Sequence, residues 1–224
     1  MKKVFSEIVY PVGKISLTGD LTIPEGSRSI VIFSHGSGSS RWSPRNRYVA
    51  SVLNNKKIST LLIDLLTPEE DTMYENRFDI DLLTTRLVAI TEYVHRAPQT
   101  KSLKIGYFGA STGAASALKA ASRLEPLIYA IVSRGGRTDL ADEELPDIKA
   151  PTLLLVGGLD APVLLLNQKS YTLLKCKKEL IIIHEATHLF EEKGKLEEVA
   201  KLSEEWWTYY LAGNIPKKSK VFTP

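Results

Sequence analysis

The chain has 224 residues, 43% of them hydrophobic, which is enough for one sizeable core, and a single domain over 1–224 is expected. Lys and Arg number 29 against 26 Asp and Glu, a formal charge of +3, a balance that does not suggest a nucleic-acid binder. One cysteine, Cys176, cannot form an internal disulfide, and no apolar run reaches the length of a membrane span or follows the basic start as in a signal peptide; a cytoplasmic protein without membrane contact is expected.

In chain order, Val4–Tyr10 and Lys14–Ile23 alternate apolar and polar residues around Pro11 and Gly13, the pattern of an antiparallel hairpin at a sheet edge. Six short apolar runs follow, over Ile30–Phe33, Thr60–Leu65, Lys104–Phe108, Tyr129–Val132, Thr152–Val156 and Leu180–Ile183. Their unbroken hydrophobicity is that of strands buried on both faces. Segments with helical spacing lie between or after them, the clearest over Ile80–His95, Gly113–Arg123, Val163–Leu174 and Leu196–Leu211. Because parallel neighbours need crossover connections, this alternation predicts an α/β fold, a mostly parallel sheet with helices on both faces. Residues 137–149 carry acids and Pro146 in place of a periodic pattern, so a loop is expected there, and the gap is too short for a large cap domain. Residues 213–224, with Lys217, Lys218 and Lys220, read as a flexible, solvated tail.

Ligands of such sheets bind beyond the carboxyl ends of the strands. Directly after the run ending at Phe108 stands Gly109-Ala110-Ser111-Thr112-Gly113, followed by the helix-forming Ala114, Ala115, Ser116, Ala117 and Leu118. A G-x-S-x-G between strand and helix exposes its serine on a sharp turn, and the helix N-terminus behind it favours developing negative charge. Outside this setting the same five residues are an ordinary small-residue turn.

A serine hydroxyl needs a base to take its proton, and the base needs a carboxylate to hold its tautomer. In the α/β-hydrolase fold the order is Ser, acid, His. Asp160 follows a strand through Gly157-Gly158-Leu159 and fits the acid, although an aspartate beside glycines is also a common turn residue. Of four histidines, His35 precedes the serine and His95 ends a helix. His184 and His188 both follow the last strand. His184 continues that strand, where a structural role is expected, whereas His188 lies in the loop with reach towards Ser111 and is the expected base. His184 and His188 are four residues apart but lack a third metal ligand, so no metal is expected, and no cofactor.

The oxyanion of acyl transfer needs preorganised donors. One is the backbone N–H of Thr112; the second is expected from Ser37 in Ser34-His35-Gly36-Ser37-Gly38-Ser39-Ser40, with His35 and Gly36 shaping the turn. The same stretch lacks the Gly-Lys-Ser/Thr ending of a phosphate loop. Arg134, just past a strand, and Arg41, closing the Ser-rich loop, are candidates to hold an anionic group on the substrate; either could instead brace loops by pairing with Asp64, Asp139 or Glu69. Trp42, Met73, Tyr74 and Phe78 are candidate pocket walls or ordinary packing, and Trp206 and Trp207 suggest core or subunit contacts.

From about Ile30 to Leu211 the sequence resembles α/β-hydrolases of the dienelactone hydrolase type. The matching pieces are His35-Gly36-Ser37-Gly38-Ser39-Ser40-Arg41, Asp64-Leu65-Leu66-Thr67-Pro68-Glu69-Glu70, the elbow, Ser133-Arg134-Gly135-Gly136-Arg137, Val156-Gly157-Gly158-Leu159-Asp160 and Ala186-Thr187-His188-Leu189-Phe190. In that group the Asp after Gly-Gly-Leu and the His before Leu-Phe fill triad positions, so the resemblance implies Asp160 and His188 as partners of Ser111. Dienelactone hydrolases proper carry cysteine at the elbow. Ser111 therefore places the resemblance in the serine-bearing branch, some of whose relatives are joined to phosphoribosyltransferase domains. The expected activity is hydrolysis of small soluble carboxylic esters or lactones. An acyltransferase or thioesterase with the same triad, or a non-catalytic binding protein of this fold, remains open, and the sequence does not specify oligomeric state.

Overall fold

The computed structural model describes residues 3–211, so the tail over 213–224 lies outside the described residues. Ten-residue strands β1 (Lys3–Val12) and β2 (Ile15–Pro24) form the expected hairpin, turning at Gly13. The remaining strands are β3 (Ser29–Ser34), β4 (Ser59–Ile63), β5 (Lys104–Ala110), β6 (Ile128–Arg134), β7 (Thr152–Gly157) and β8 (Lys178–Ile183). They form one eight-stranded sheet in the order β1-β2-β4-β3-β5-β6-β7-β8, parallel from β4 to β8, with β2 antiparallel to β4.

The helices are α1 (Pro44–Asn55), the single turn α2 (Pro68–Asp71), α3 (Ile80–Arg96), α4 (Thr112–Arg123), α5 (Ala161–Leu173) and α6 (Lys195–Tyr210). Strand side chains alternate between faces, and the two faces feed two cores. Ile30 and Ile32 point to a cluster with Leu83, Leu87 and Ile90 of α3 and Leu118 of α4. Val31 and Phe33 point to one with Leu53 of α1 and Val199, Trp206 and Trp207 of α6. Trp206 and Trp207 are thus core residues, 1% and 0% exposed. Burying side chains of this size stabilises by ~1.5–3 kcal/mol each, which explains why the strands read as continuous apolar runs.

Helix α1 has no counterpart among the helices anticipated from periodicity. Its sequence is polar, and only Val49, Ala50 and Leu53 supply buried apolar side chains. Its start is local chemistry: Ser43 caps the Asn46 N–H and Pro44 occupies the first turn. Residues 137–149 form two short 3-10 turns, Thr138–Ala141 and Leu145–Asp147, without a cap domain. No helix among the described residues is long and apolar enough to cross a membrane.

The chain leaves β3 towards β4 on one side and reaches β5 on the other, so the carboxyl ends of β3 and β5 form a topological switch point, where ligands of open α/β sheets bind.

Candidate active site

Ser111 sits between β5 and α4 with φ of +52°, a left-handed conformation costly for a side-chain-bearing residue. The strain is held from several sides. Ser111 N–H donates to the Arg134 carbonyl at 3.1 Å, and the Ser111 carbonyl accepts from Ala114 and Arg137 at 3.0 Å each. Gly113 lets α4 rest on the end of β3, since a Cβ there would meet the Ser34 and His35 carbonyl oxygens. A Ser34–Ser116 hydroxyl contact of 2.8 Å fastens the same junction.

Asp160 and His188 arrive on adjoining loops after β7 and β8. Gly158 N–H donates to the Ile183 carbonyl and Leu159 N–H to that of Ala186. Gly157 permits this approach, because a Cβ would strike the Ala186 and Thr187 carbonyls. Asp160 Oδ2 accepts from His188 Nδ1 at 2.7 Å, and His188 Nε2 lies 3.3 Å from Ser111 Oγ. With Nδ1 donating to the carboxylate, Nε2 is left as an acceptor for the serine proton. The structure thus brings together Ser111, Asp160 and His188. His184 is exposed at the end of β8 and makes no side-chain hydrogen bond among the described residues, so the structural role expected of it is not seen. His95 is also exposed.

The oxyanion loop differs from expectation in one bond. Ser37 N–H, the anticipated second donor, is committed to Thr112 Oγ1 at 2.8 Å. Thr112 is 3% exposed at the start of α4, so this bond joins the loop after β3 to the elbow. Sequence order makes both residues expected donors, but residue identity does not reveal that the Thr112 side chain occupies the Ser37 amide. His35 braces the turn through Gly36 O at 3.0 Å and accepts from the Leu65 N–H at 3.4 Å.

The two candidate arginines separate. Arg41 is consumed by acids: Asp64 and Glu7 at 2.8 Å each and Asp20 at 3.4 Å. It ties the loop to the hairpin, the bracing role that was the alternative to anchoring a substrate. Arg134 forms no ion pair among the described residues. Its one side-chain hydrogen bond among the described residues is to Asn46 Oδ1 at 3.4 Å, and its Nε has no partner there. Burial and the charge of Arg45 pull its pKa down to about 10, so it remains cationic at neutral pH. It stacks 5.8 Å from the ring of Phe190, two residues beyond His188.

A cavity of about 280 Å³ opens onto Ser111 and His188. Ser37, Ser39 and Ser43 line it with Arg45, Asn46 and Arg134, and none of its lining residues is acidic. A larger hollow of about 570 Å³ lies beside Glu92, His95 and Tyr129, at the opposite end of the strands and apart from these groups. Of the anticipated pocket walls, Trp42 is exposed beneath the guanidinium groups of Arg41 and Arg47, Tyr74 packs on Phe78, and neither these nor Met73 lines the cavity at Ser111.

Residues 63–212 match the model of the dienelactone hydrolase family. The chain belongs to that family. A solved dienelactone hydrolase from Anabaena variabilis is 51% identical, covers 94% of this chain and 100% of its own, and superposes with a TM-score of 0.92. Two Mycobacterium tuberculosis proteins, from strains CDC 1551 and H37Rv and provisionally named phosphoribosyl transferase, are 51% identical over 210 residues, 94% of this chain. The chain spans about half the length of these curated relatives, 47%. A Pyrococcus furiosus esterase shares the fold at 19% identity, with a TM-score of 0.78 over 93% of this chain and 92% of its own. The eight-stranded sheet with its N-terminal hairpin is this family's α/β-hydrolase fold.

Proposed function

We propose that this dienelactone hydrolase family member hydrolyses small carboxylic esters or lactones through an acyl-enzyme on Ser111, acting in the cytoplasm. The observation that carries the reading is the continuous contact from Asp160 through His188 to Ser111 at the carboxyl end of the sheet. In the first half-reaction Ser111 Oγ attacks the acyl carbon while His188 Nε2 takes the hydroxyl proton. Collapse of the tetrahedral intermediate expels the alkoxide, which receives that proton from His188. Water then attacks the acyl-enzyme by the same exchange, releasing the carboxylic acid and restoring Ser111.

Asp160 holds the imidazole tautomer and stabilises the transient imidazolium. Thr112 N–H, at the amino end of α4, donates to the oxyanion. Ser37, held by the Thr112 hydroxyl, supplies the neighbouring wall of the hole. The small cavity and the absence of a cap over residues 137–149 favour short acyl groups over extended lipid chains.

The test is turnover on a panel of p-nitrophenyl esters and small lactones, comparing the native protein with Ser111→Ala. A fall of about 10³-fold or more is expected. A variant keeping a tenth of the native rate would remove Ser111 from the chemistry. Product analysis in the presence of alcohol and thiol acceptors separates hydrolysis from acyl transfer, since a transferase gives mainly the new ester or thioester.

A further inference from the structure

The cavity beside Ser111 is built for negative charge. Arg134 is 7% exposed, has no ion-pair partner among the described residues, and has an unpartnered Nε. A buried guanidinium is ordinarily paired with a carboxylate, because desolvating the ion otherwise goes uncompensated. The neighbouring chemistry deepens the deficit instead of filling it. Arg45 lines the same cavity, and the amino end of α1 presents Ser43, Arg45 and Asn46 to it. A helix N-terminus carries partial positive charge; in α1 Pro44 has no N–H and Ser43 caps that of Asn46, so the terminus adds its dipole to the two guanidinium groups without a full set of free amides.

Geometry and charge favour a phosphate over a carboxylate. A carboxylate is planar, with two oxygens, and is satisfied by one guanidinium fork. Here donors converge from separate elements: Arg134 from β6, Arg45 and Asn46 from α1, and the Ser37 and Ser39 hydroxyls from the loop after β3. A phosphomonoester presents three terminal oxygens and ≈ −1.5 to −2 charges near pH 7. Arg45 pairs with Glu191 at 2.6 Å, but Glu191 is 62% exposed, so that contact is weak and screened and can yield to a bound anion. Two guanidinium groups and a helix terminus then face a dianion.

We propose that the protein acts on esters whose acyl portion carries a phosphate, seated on Arg134, Arg45, Asn46 and the amino end of α1, with the ester carbonyl at Ser111. The assignment of turnover rests on the ester-hydrolase reading, whereas the anion site does not.

Two measurements keep them apart. Inorganic phosphate, against chloride or acetate at matched ionic strength, is added to the Ser111→Ala protein and the melting temperature followed. At phosphate well above its dissociation constant a rise of about 4 °C or more is expected, with none from acetate and none in Ser111→Ala/Arg134→Gln. The native enzyme is then offered three acyl esters of equal length ending in methyl, carboxylate or phosphate. The phosphate ester is expected to have kcat/KM at least about tenfold above the methyl ester, and Arg134→Gln should erase that preference. Should Arg134→Gln fail to fold, Asn46→Asp places a carboxylate beside the same guanidinium and should abolish the phosphate response while leaving the melting temperature unchanged or higher. No thermal shift with phosphate overturns the site. A carboxylate ester preferred over the phosphate ester overturns the choice of anion. A phosphate shift with no ester turned over at all would keep the site and overturn the hydrolase reading on which its substrate rests.

Discussion

Replacing Thr112 by Val isolates the bond between the oxyanion loop and the nucleophile elbow. Valine keeps the shape and β-branching of threonine but cannot accept the Ser37 N–H now held at 2.8 Å. Leaving this part-buried amide without its acceptor costs at most ~1–3 kcal/mol, and if the loop relaxes to avoid that cost, the wall of the hole moves with it. In either case the loss falls on the transition state, where the oxyanion needs that wall in place. At 1.36 kcal/mol per tenfold, the expected fall in kcat is from roughly 5-fold to roughly 150-fold, its upper end just reaching the ~10²–10³ that loss of a whole oxyanion donor costs. KM should change little, because the ground-state carbonyl makes weaker use of the hole. Thr112→Ser restores the hydroxyl and should recover most of the rate. Steady-state kinetics on one short-chain ester, with kcat and KM separated, make the measurement. An unchanged or faster Thr112→Val enzyme would show that the threonine hydroxyl blocks the Ser37 donor, and a Thr112→Ser variant as slow as the valine would show that the methyl group matters and the hydrogen bond does not.

Other outcomes follow from the same geometry. Asp160→Asn retains the size of the side chain but no longer enforces the His188 tautomer; kcat should fall by up to ~10⁴ as in other serine triads, with melting temperature nearly unchanged, and a loss under tenfold would contradict the assigned role. Gly113→Ala drives a methyl into the carbonyls of Ser34 and His35, so a destabilisation of roughly 1–3 kcal/mol or more is expected in denaturant melts together with lost activity, and a fully stable, active variant would refute the close approach of α4 to β3. Arg41→Gln removes three ion pairs, but the buried Asp20 keeps Arg47 at 3.0 Å, so stability should fall by about 1–3 kcal/mol while neutral and anionic esters slow equally; selective loss on the anionic ester would place Arg41 at the substrate. Burial raises the pKa of Tyr10 and Tyr107 above the ordinary 10, so both stay neutral in the fold while the unfolded chain ionises near 10. Their contribution to stability is complete below pH 10 and declines above it, so ultraviolet titration of the nine tyrosines should show late ionisation coupled to unfolding, whereas nine groups titrating together near 10 in folded protein would contradict their burial.

Much of the fold was legible because its signals are local and repeated. The six apolar runs are strands since both faces of a parallel sheet are covered, and the turn at Gly13 betrays the hairpin. Ser111, Asp160 and His188 could be anticipated together because chain order constrains which loops meet at the carboxyl edge of such a sheet. Helix α1 was not, because its face is thin and its start depends on a Ser-Pro cap, not on periodicity. The contrast between Arg41 and Arg134 was equally out of reach. Both stand beside strand ends, and only the fold brings Glu7 and Asp20 of the hairpin to Arg41 while Arg134 meets Asn46 and Phe190. The Ser37–Thr112 bond, across 75 residues, depends on the direction of one amide, which residue identity does not encode.

If Ser111 is a nucleophile activated by His188, its hydroxyl must react with an electrophile that mimics an acyl group. Intact-protein and peptide mass spectrometry after brief exposure to a fluorophosphonate tests it directly, because the reagent reports attack by the hydroxyl independently of any guess at the substrate. One adduct per chain is expected, on the peptide containing Ser111, formed far more slowly in His188→Ala and absent in Ser111→Ala. No adduct on the native protein, or an adduct that persists in Ser111→Ala, would contradict it.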